Sequence, residues 1–422
     1  VNSIKNLFSD SSKITYETYQ ELFEMDNNKY ASRLDNLDIY YEIYNMHMNV
    51  TYKFTGSSSG SSNTDSNLVK IGSITYRLYQ NKYAHIYDCD EDITSITIPQ
   101  SITNNGIAYK VNTILPFAFQ NCTKMSSISI PSTIFDIGCG AFECCTSLTS
   151  ITLPSKIKAV ESYTFEDCSA LKSIVIPNGV KRIGLWAFKD CTSLRTITLP
   201  GSLEDVDAEA YTGCTITKVN IADGSTSISS VLFDGLRKNI KEVVIPDSII
   251  TIGNSAFYSC TSLTEIYIPD SVINIGEDVF GECTKLIKVR LSKNIESYPK
   301  YMFYKCSKIE IAEFPIVNGE KPSQLDNSVG SIKEIVINNG NIIPDSAFCN
   351  YTSLTSIKML DSVTKIGDAA FRNCTSLTEL LIPDSVTTIG NSAFSSCTSL
   401  TDIVIPDSVT TIGNSAFSSC TS

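Results

Sequence analysis

Short runs of alternating apolar and polar residues recur about every 23 residues along most of the chain. In one copy, residues 263–268 place Tyr267 between two isoleucines, an alternation that predicts a short half-buried strand. The Pro-Asp-Ser sequence at 269–271 then predicts a turn, because proline presets its φ and the Asp and Ser side chains bond to nearby backbone. Each copy is therefore expected to open with a strand and a turn.

The second half of the same copy predicts two further elements. Val272 and Ile275 indicate another short extended segment, which Gly276 closes. In the stretch that follows, Phe280 and Cys283 stand three residues apart, a spacing that would place them on one face of a helix. We therefore predict one or two helical turns at the end of each copy.

A fixed period of this size is typical of a solenoid, in which each unit stacks on its neighbours. The copies share the pattern I-x-I-P-D-S-V-T-x-I-G-x-x-A-F-x-x-C-T-S-L-T-x, and proline or a substitute holds its position throughout. The fold class predicted is an α/β repeat protein: a curved solenoid of parallel β-strands and short helical turns. It should have about 13–14 coils of ~23 residues and follow a small helical segment.

Two units depart from the pattern. In the unit that starts at Ala222, Leu236 takes the place of the cysteine, and between Pro315 and Asn338 the A-F-x-x-C segment is absent. The second unit is expected to bulge, to lose its helix or to be irregular. Uniform curvature is therefore not expected through the middle of the array.

Residues 70–422 resemble the BspA-like leucine-rich-repeat family, whose units carry the same I-x-I-P…I-G-x-x-A-F-x-x-C-x-S-L pattern. The longer interval from Pro99 to Pro131 is similar to the extended first repeat of that family. The resemblance implies a leucine-rich-repeat-type solenoid, a surface or secreted location, and adhesion to host or matrix proteins. It brings no catalytic residues with it.

Four regions are predicted from the composition. Residues 1–50 do not repeat, and their aromatic and leucine residues at three- and four-residue steps predict an N-terminal helical segment. Residues 51–69 are a Gly/Ser-rich linker, 70–92 a β-hairpin that caps the array, and 93–422 the solenoid. The array stops inside a repeat, so the native chain is expected to continue beyond it.

Most cysteines occupy one position of the repeat, three residues after the aromatic residue. These ladder cysteines are Cys122, Cys145, Cys168, Cys191, Cys214, Cys260, Cys283, Cys306, Cys374, Cys397 and Cys420. Stacked side chains point in parallel, which favours a buried core role over disulfides or a metal site, although neither alternative is excluded. The other cysteines, Cys89, Cys139, Cys144 and Cys349, are better candidates for reactive or paired thiols, and Cys144 should face away from Cys145.

Charge and composition narrow the function classes. The net charge of −12 argues against nucleic acid or an anionic membrane as the partner, and no apolar run is long enough to span a bilayer. The only histidines, His47 and His85, belong to different elements, and no nucleotide-binding or zinc-protease motif occurs. We therefore expect no catalytic residues, no metal site and no cofactor.

A partner is expected to bind the outward residues of the strands, which form the extended face of a solenoid. Tyrosine and charged residues suit such a site best, although plain solvated surface is the competing interpretation. The candidate residues on the strands are Glu265, Tyr267, Lys288, Arg290, Glu313 and Lys358. A second group lies beside the degenerate unit and consists of Tyr298, Tyr301 and Tyr304.

These observations favour a non-enzymatic protein-binding or adhesion solenoid of a cell surface or extracellular matrix. Its partner would be a protein of the host, of the matrix or a second copy of the chain. The alternative is a structural protein whose repeats stack into a filament or surface coat, a possibility that the nearly identical copies at 383–422 favour.

Overall fold

The structure is a computed structural model that describes residues 67–328 and 330–420. The helical segment predicted for residues 1–50 lies outside the described residues, as does the predicted linker up to residue 66. The first eight strands form the N-terminal part: β1 (Leu68–Ile71), β2 (Ile74–Leu78), β3 (Tyr83–Cys89), β4 (Ser95–Thr97), β5 (Ser101–Asn104), β6 (Ile107–Ile114), β7 (Ser127–Ser129) and β8 (Asp136–Ile137).

Strands of two to six residues follow in every coil. Those of the central part are β9 (Ala159–Val160), β10 (Ser173–Val175), β11 (Arg182–Ile183), β12 (Thr196–Leu199), β13 (Asp205–Val206), β14 (Lys218–Ile221), β15 (Ser227–Ile228), β16 (Glu242–Val244), β17 (Thr251–Ile252), β18 (Glu265–Tyr267) and β19 (Asn274–Ile275). Those of the C-terminal part are β20 (Lys288–Arg290), β21 (Ile311–Pro315), β22 (Glu334–Asn339), β23 (Ile342–Ile343), β24 (Ser356–Lys358), β25 (Lys365–Ile366), β26 (Glu379–Leu380), β27 (Thr388–Ile389) and β28 (Thr411–Ile412).

The longer strands stack in parallel and form what we call the strand row. Its ladders run β4-β7, then β10-β12-β14-β16, then β18-β20-β21-β22-β24-β26. Neighbours pair in register at the repeat period, so that Ile266 stands opposite Val289 and both side chains point into the core. A second row of two-residue strands, such as β15-β17-β19, runs along the array at the I-G step of the repeat. The parallel solenoid predicted from the period is confirmed.

The predicted helical turns are wrong. In coil after coil the stretch before the cysteine, which we call the turn segment, contains two residues with positive φ, for example Asp278 (55°) and Glu282 (60°). A right-handed helix does not accommodate left-handed residues at this spacing. Alternate N–H groups donate across to the next coil instead, as Phe280 does to the Met302 carbonyl at 3.1 Å. Apart from the 3-10 helix Ser323–Ser328, the described residues contain no helix.

Glycine at the I-G step lets neighbouring coils approach each other closely before the turn segment begins. A Cβ atom on Gly276 would lie 2.4 Å from the backbone nitrogen of Asn254 in the preceding coil. Real Cβ atoms do not come this close to backbone, so a larger residue would push the coils apart. Gly276 thus permits the close stacking of these two coils.

The core is a continuous column of aliphatic and aromatic side chains. One aromatic ring per regular coil is buried, and successive rings stack, as Phe142 and Phe165 do with centroids 5.5 Å apart and planes 9° apart. Burial of a phenylalanine side chain contributes roughly 1.5–3 kcal/mol. The column therefore ties each coil to the next with no need for cross-links.

The predicted core position of the ladder cysteines is confirmed. All are buried except Cys420, which is half-buried. From Cys145 onward the ladder thiols, with the exception of Cys260, donate to the carbonyl of the aromatic residue one coil earlier, as Cys168 Sγ does to Phe142 O at 3.2 Å. Cys144 is half-buried while Cys145 is fully buried, so the two face different ways as predicted.

Cys89 was predicted to stand apart from the ladder, yet the structure places it next to the first ladder thiol. Contact with Cys122 and, after it, burial raise the pKa of the Cys89 thiol. Cys89 ends β3, so the N-terminal sheet contributes one more thiol to the end of the column.

The unit after Pro315 is irregular, as its sequence predicted. The 3-10 helix Ser323–Ser328 replaces the turn segment, and Leu325 fills the buried slot that phenylalanine takes elsewhere. Ser328 is buried in the place of the cysteine, and its hydroxyl donates to the Cys306 carbonyl. Stacking thus continues through a coil that lacks both signature residues.

Candidate partner-binding face

The outward side chains of the strand row form a surface that we call the strand face. Its N-terminal half consists mainly of small hydroxyl residues: Ser95, Thr97, Ser127, Ser129, Ser150, Thr152, Ser173, Thr196 and Thr198. From β14 onward the same positions carry charged, aromatic and aliphatic residues. A shallow hollow between β4 and β7 is lined by hydroxyls and isoleucine only. Apart from the exposed Val175 on β10, the side chains that can discriminate a protein partner therefore lie in the C-terminal half.

Tyr267 and Arg290 lie side by side on β18 and β20, where parallel register makes them direct partners. The guanidinium of Arg290 covers the Tyr267 ring at 4.4 Å from its centroid, within the range of a cation–π contact. The tyrosine is nevertheless 54% exposed. Its ring is thus held in place on one side and open to solvent over the rest.

Arg290 also binds carboxylates on both sides. Its Nη2 lies 3.1 Å from Asp270 Oδ1, and its Nε lies 2.9 Å from Glu313 Oε1. Asn338, from a coil further on, donates to the same Glu313 oxygen at 3.3 Å. Only 20% of the Arg290 side chain is exposed. These contacts use most of the guanidinium donors, so Arg290 fastens coils together more than it offers a charge to a partner.

The pKa of Asp270 also reflects contacts made within the chain. Burial acts to raise it, but the hydrogen bond from the Lys293 backbone N–H and the charge of Arg290 outweigh burial, so the pKa lies below its ordinary value. Asp270 is the residue that follows the turn proline in this coil. Its carboxylate is therefore charged and committed to Arg290 and Lys293.

Glu265 and Lys288 remain available on the same two strands. They are register partners, and both are exposed. Neither enters an ion pair with another described residue. This distinguishes them from Lys358, which is 72% exposed but lies 3.1 Å from Glu334 Oε1, and from Lys218, which pairs with Glu242 at 2.5 Å.

The structure does not gather Tyr298, Tyr301 and Tyr304 onto the strand face. Tyr298 is half-buried and donates its hydroxyl to the Pro315 carbonyl, and burial raises its pKa well above the ordinary value. Tyr301 and Tyr304 lie on a turn segment, 56% and 41% exposed, with ring centroids 6.3 Å apart in an edge-to-face arrangement. They form a separate surface cluster.

Sequence reasoning missed the aliphatic neighbours of Tyr267 on the strand face. Val244 occupies the equivalent position one coil earlier and is 43% exposed, and Leu381 and Val404 are 77% and 76% exposed further along. The sequence did indicate these residues, because all three occupy the middle position of the I-x-I pattern, which points outward. An apolar residue at that letter cannot reach the core, since alternate strand residues point to opposite sides.

Residues 67–328 and 330–420 contain neither a metal-binding cluster nor a membrane-spanning helix. Within this part of the chain, no three His, Cys, Asp or Glu side chains converge in a way that could hold a metal ion. No helix there has the length and apolar character needed to cross a membrane.

Solved structures of several bacterial proteins are similar to this chain. A leucine-rich repeat protein from Bacteroides ovatus ATCC 8483 is 30% identical, with 83% of this chain and 92% of that chain covered and a TM-score of 0.34. A leucine-rich cell surface protein from Faecalibacterium prausnitzii A2-165 is 27% identical, with 86% and 94% covered and a TM-score of 0.35. A T. pallidum leucine-rich repeat protein is 23% identical, with 52% and 90% covered and a TM-score of 0.34.

No curated protein matches the chain. A family model does: the BspA type leucine-rich repeat region, in six copies, matches residues 112–238, 226–341 and 323–422. These ranges overlap and together cover well over half of the sequence, and the matched residues are the coils described above. The chain therefore belongs to the BspA-type leucine-rich repeat family.

Proposed function

We propose that the chain is a non-enzymatic, protein-binding solenoid of a cell surface or extracellular matrix, and that it binds its partner through the strand face around Tyr267. The observation that carries this proposal is the exposure of an aromatic ring whose orientation is already fixed by Arg290. Tyrosine contributes large contact area at low entropic cost, and such residues dominate binding energy in protein interfaces.

The residues around the ring suit a mixed apolar and charged contact. Val244 adds aliphatic surface on one side. Glu265 and Lys288 add one negative and one positive charge, and neither is paired with another described residue. Arg290 and Glu313 support the ring from behind through their mutual hydrogen bond at 2.9 Å. We therefore assign the direct contacts to Tyr267, Val244, Glu265 and Lys288, and a supporting role to Arg290 and Glu313. Lys358, which Glu334 already neutralises, is placed at the rim.

Binding of the full chain to a panel of purified extracellular-matrix glycoproteins, measured by surface plasmon resonance, tests the proposal. Tyr267→Ala combined with Lys288→Glu should weaken any specific binding by about tenfold or more. Ser173→Ala, at an exposed outward position on the hydroxyl half of the same face, is the matched control and should leave affinity unchanged. Binding that survives the double substitution at full strength would place the site elsewhere.

Self-assembly is the second candidate, and a different observation favours it. Leu381 and Val404 occupy the same outward position in successive coils, and both are more than three-quarters exposed. Paired aliphatic side chains on a uniform surface favour association between copies. Sedimentation velocity on the full chain, compared with Leu381→Ser/Val404→Ser, tests this candidate. Assemblies that the double substitution leaves intact would count against it.

A further inference from the structure

In most coils the first position of the turn segment adopts a left-handed backbone conformation, and its occupant changes along the array. Serine or alanine holds it in the last four coils, with φ of 54° at Ser346, 52° at Ala369, 50° at Ser392 and 57° at Ser415. In the early coils the same position holds Phe117 (59°), Tyr163 (62°) and Trp186 (53°). Bulky residues are disfavoured at positive φ, and the neighbouring copies show that the backbone does not require them.

These three side chains, which we call the aromatic stripe, lie along one side of the first coils. The Phe117 ring covers the intervening Gly140, where a Cβ atom would come within 2.2 Å of the ring. The rings of Tyr163 and Trp186 meet edge to face, with centroids 5.7 Å apart. All three are half-buried, so the rings lie against the surface and still reach solvent. Trp186 is the only tryptophan of the chain.

The side chains around the stripe hold the tryptophan in one orientation. Its indole Nε1 donates to Glu209 Oε2 at 2.6 Å, and the Lys189 ammonium lies 4.1 Å from its ring centroid. Lys189 in turn pairs with Glu166 at 2.6 Å, so its positive charge is neutralised inside the surface. A ring fixed by contacts on two coils is organised before any partner arrives, which lowers the entropic cost of binding.

The turn segments that carry the stripe are strongly acidic. From Phe117 to Cys214 they contain the carboxylates Glu143, Glu166, Asp167, Asp190 and Glu209 against the single cation Lys189. Burial raises the pKa of Glu143, and the negative charges of Glu166 and Asp167 raise it further. An added positive charge would relieve this repulsion.

We propose that the aromatic stripe and its flanking carboxylates form a second protein-binding surface, separate from the strand face, which takes a basic segment of a partner protein. Arginine fits both features, because its guanidinium stacks on aromatic rings and forms paired hydrogen bonds with carboxylates. The surface is independent of the site around Tyr267, since the residues lie on turn segments of different coils.

The single tryptophan gives the experiment a built-in reporter. The full chain is titrated with a short arginine-rich peptide, while tryptophan emission and the anisotropy of a fluorescein label on the peptide are followed. The same peptide with glutamate in place of every arginine is the charge control. We expect saturable binding of the arginine peptide, a shift in Trp186 emission, and affinity that falls with added salt. No shift, or equal binding of both peptides, would overturn the proposal.

Trp186→Ser is the decisive variant, because serine holds the same position with nearly the same φ in four other coils, Ser255, Ser346, Ser392 and Ser415. We expect it to weaken binding by about tenfold, measured by anisotropy. Tyr301→Ser, which also replaces an aromatic residue by serine at the same position of a distant coil, should leave binding unchanged. Asp167→Asn/Asp190→Asn keeps the rings and should also weaken binding several-fold.

Two results would overturn the proposal even if peptide binding is seen. One is that Trp186→Ser and Tyr301→Ser lower the affinity for the arginine peptide equally, because the peptide would then bind the acidic chain in general and not the aromatic stripe. The other is a dimer in sedimentation velocity that Trp186→Ser abolishes, since the occupant of the stripe would then be a second copy.

Discussion

The guanidinium of Arg290 lies 4.4 Å from the ring centroid of Tyr267, its direct partner across two parallel strands. Asp270 and Glu313 hold the same guanidinium at 3.1 and 2.9 Å. One arginine therefore joins three coils and orients the most exposed aromatic ring of the strand face. Arg290 therefore serves stability, because its donors are used by contacts within the chain, whereas the Tyr267 ring remains available for binding.

This division predicts different effects on stability for two cations of β20. Arg290→Leu should lower the free energy of unfolding by about 1–2 kcal/mol, because Asp270 and Glu313 lose their shared partner and both are only partly exposed. Lys288→Leu, two residues away and exposed, should stay within about 0.5 kcal/mol of the native chain. Urea unfolding followed by circular dichroism measures both. Equal losses would mean that the network around Arg290 does not stabilise the fold.

A second prediction concerns a tyrosine in the aromatic column. Tyr211 stacks on Phe188 with centroids 5.6 Å apart, and its buried hydroxyl has no hydrogen-bond partner among the described residues. A buried polar group without a partner costs about 1–3 kcal/mol. Tyr211→Phe, which restores the residue typical of that position, should therefore raise the free energy of unfolding by about 1 kcal/mol.

The matched control is another buried tyrosine whose hydroxyl is used. Lys321 Nζ lies 3.2 Å from the Tyr351 hydroxyl, so Tyr351→Phe should be neutral or destabilising. Chemical unfolding of the two variants side by side gives the comparison. If Tyr211→Phe proves as destabilising as Tyr351→Phe, the Tyr211 hydroxyl has a partner in solution.

Burial of the ladder thiols predicts which cysteines react in the folded protein. The thiolate is the reactive form, and burial raises the pKa of Cys260, Cys306 and Cys397 to about 12. Labelling with Ellman's reagent near pH 8 should be confined to the half-buried cysteines, which are Cys144 and Cys349 outside the column and Cys420 at its end. Cys349 should react before Cys144, whose pKa burial also raises.

Mass spectrometry after brief labelling locates the modified residues. Cys349→Ser should slow the labelling and leave the buried ladder thiols unlabelled, and denaturant should expose every remaining thiol. Rapid labelling of Cys168 or Cys283 in the folded chain would contradict the buried ladder. Fewer reactive thiols in denaturant without reductant than with it would show disulfides instead.

The repeat carried enough information to predict the solenoid, because its two periodicities, alternation within a strand and recurrence between coils, agree in most copies. It misled at the turn segment, where Phe280 and Cys283 stand three apart as they would on a helix. The structure brings both into the core by left-handed residues at Asp278 and Glu282 instead. A signal for this was available, since Asn, Asp and Ser recur at these positions and tolerate positive φ better than most residues.

The strand face was predictable in outline only. The outward letters of the repeat identified Tyr267, Lys288 and Arg290, and the structure shows each on the surface side of its strand. The role of Arg290 in fastening coils together could not be predicted from the repeat pattern. The hydrogen bonds around Arg290 include one from Asn338 to Glu313, and Asn338 follows the irregular coil in the chain. The course of that coil is set by packing between coils.

The last prediction is that acid weakens the N-terminal sheet through one histidine. His85 lies on β3 with its ring 4.3 Å from that of Tyr79, and its buried Nδ1 has no partner. Burial, and secondarily the charge of Arg77, lower its pKa to about 4. An unfolded histidine titrates near 6.5, so between these values the unfolded chain binds the proton that the folded chain excludes.

Stability should thus be complete above pH 6.5 and fall as pH drops toward 4, by up to about 3 kcal/mol from this group. His85→Phe keeps an aromatic ring beside Tyr79 and removes the titration. Urea midpoints measured from pH 7 to pH 5 should therefore decline more steeply for the native chain than for the variant. Hydrogen exchange of the β3 amides should show the same difference locally, since β3 pairs with both β2 and β6. Parallel pH curves would show that His85 is protonated in the folded sheet at no cost, and that its surroundings admit water.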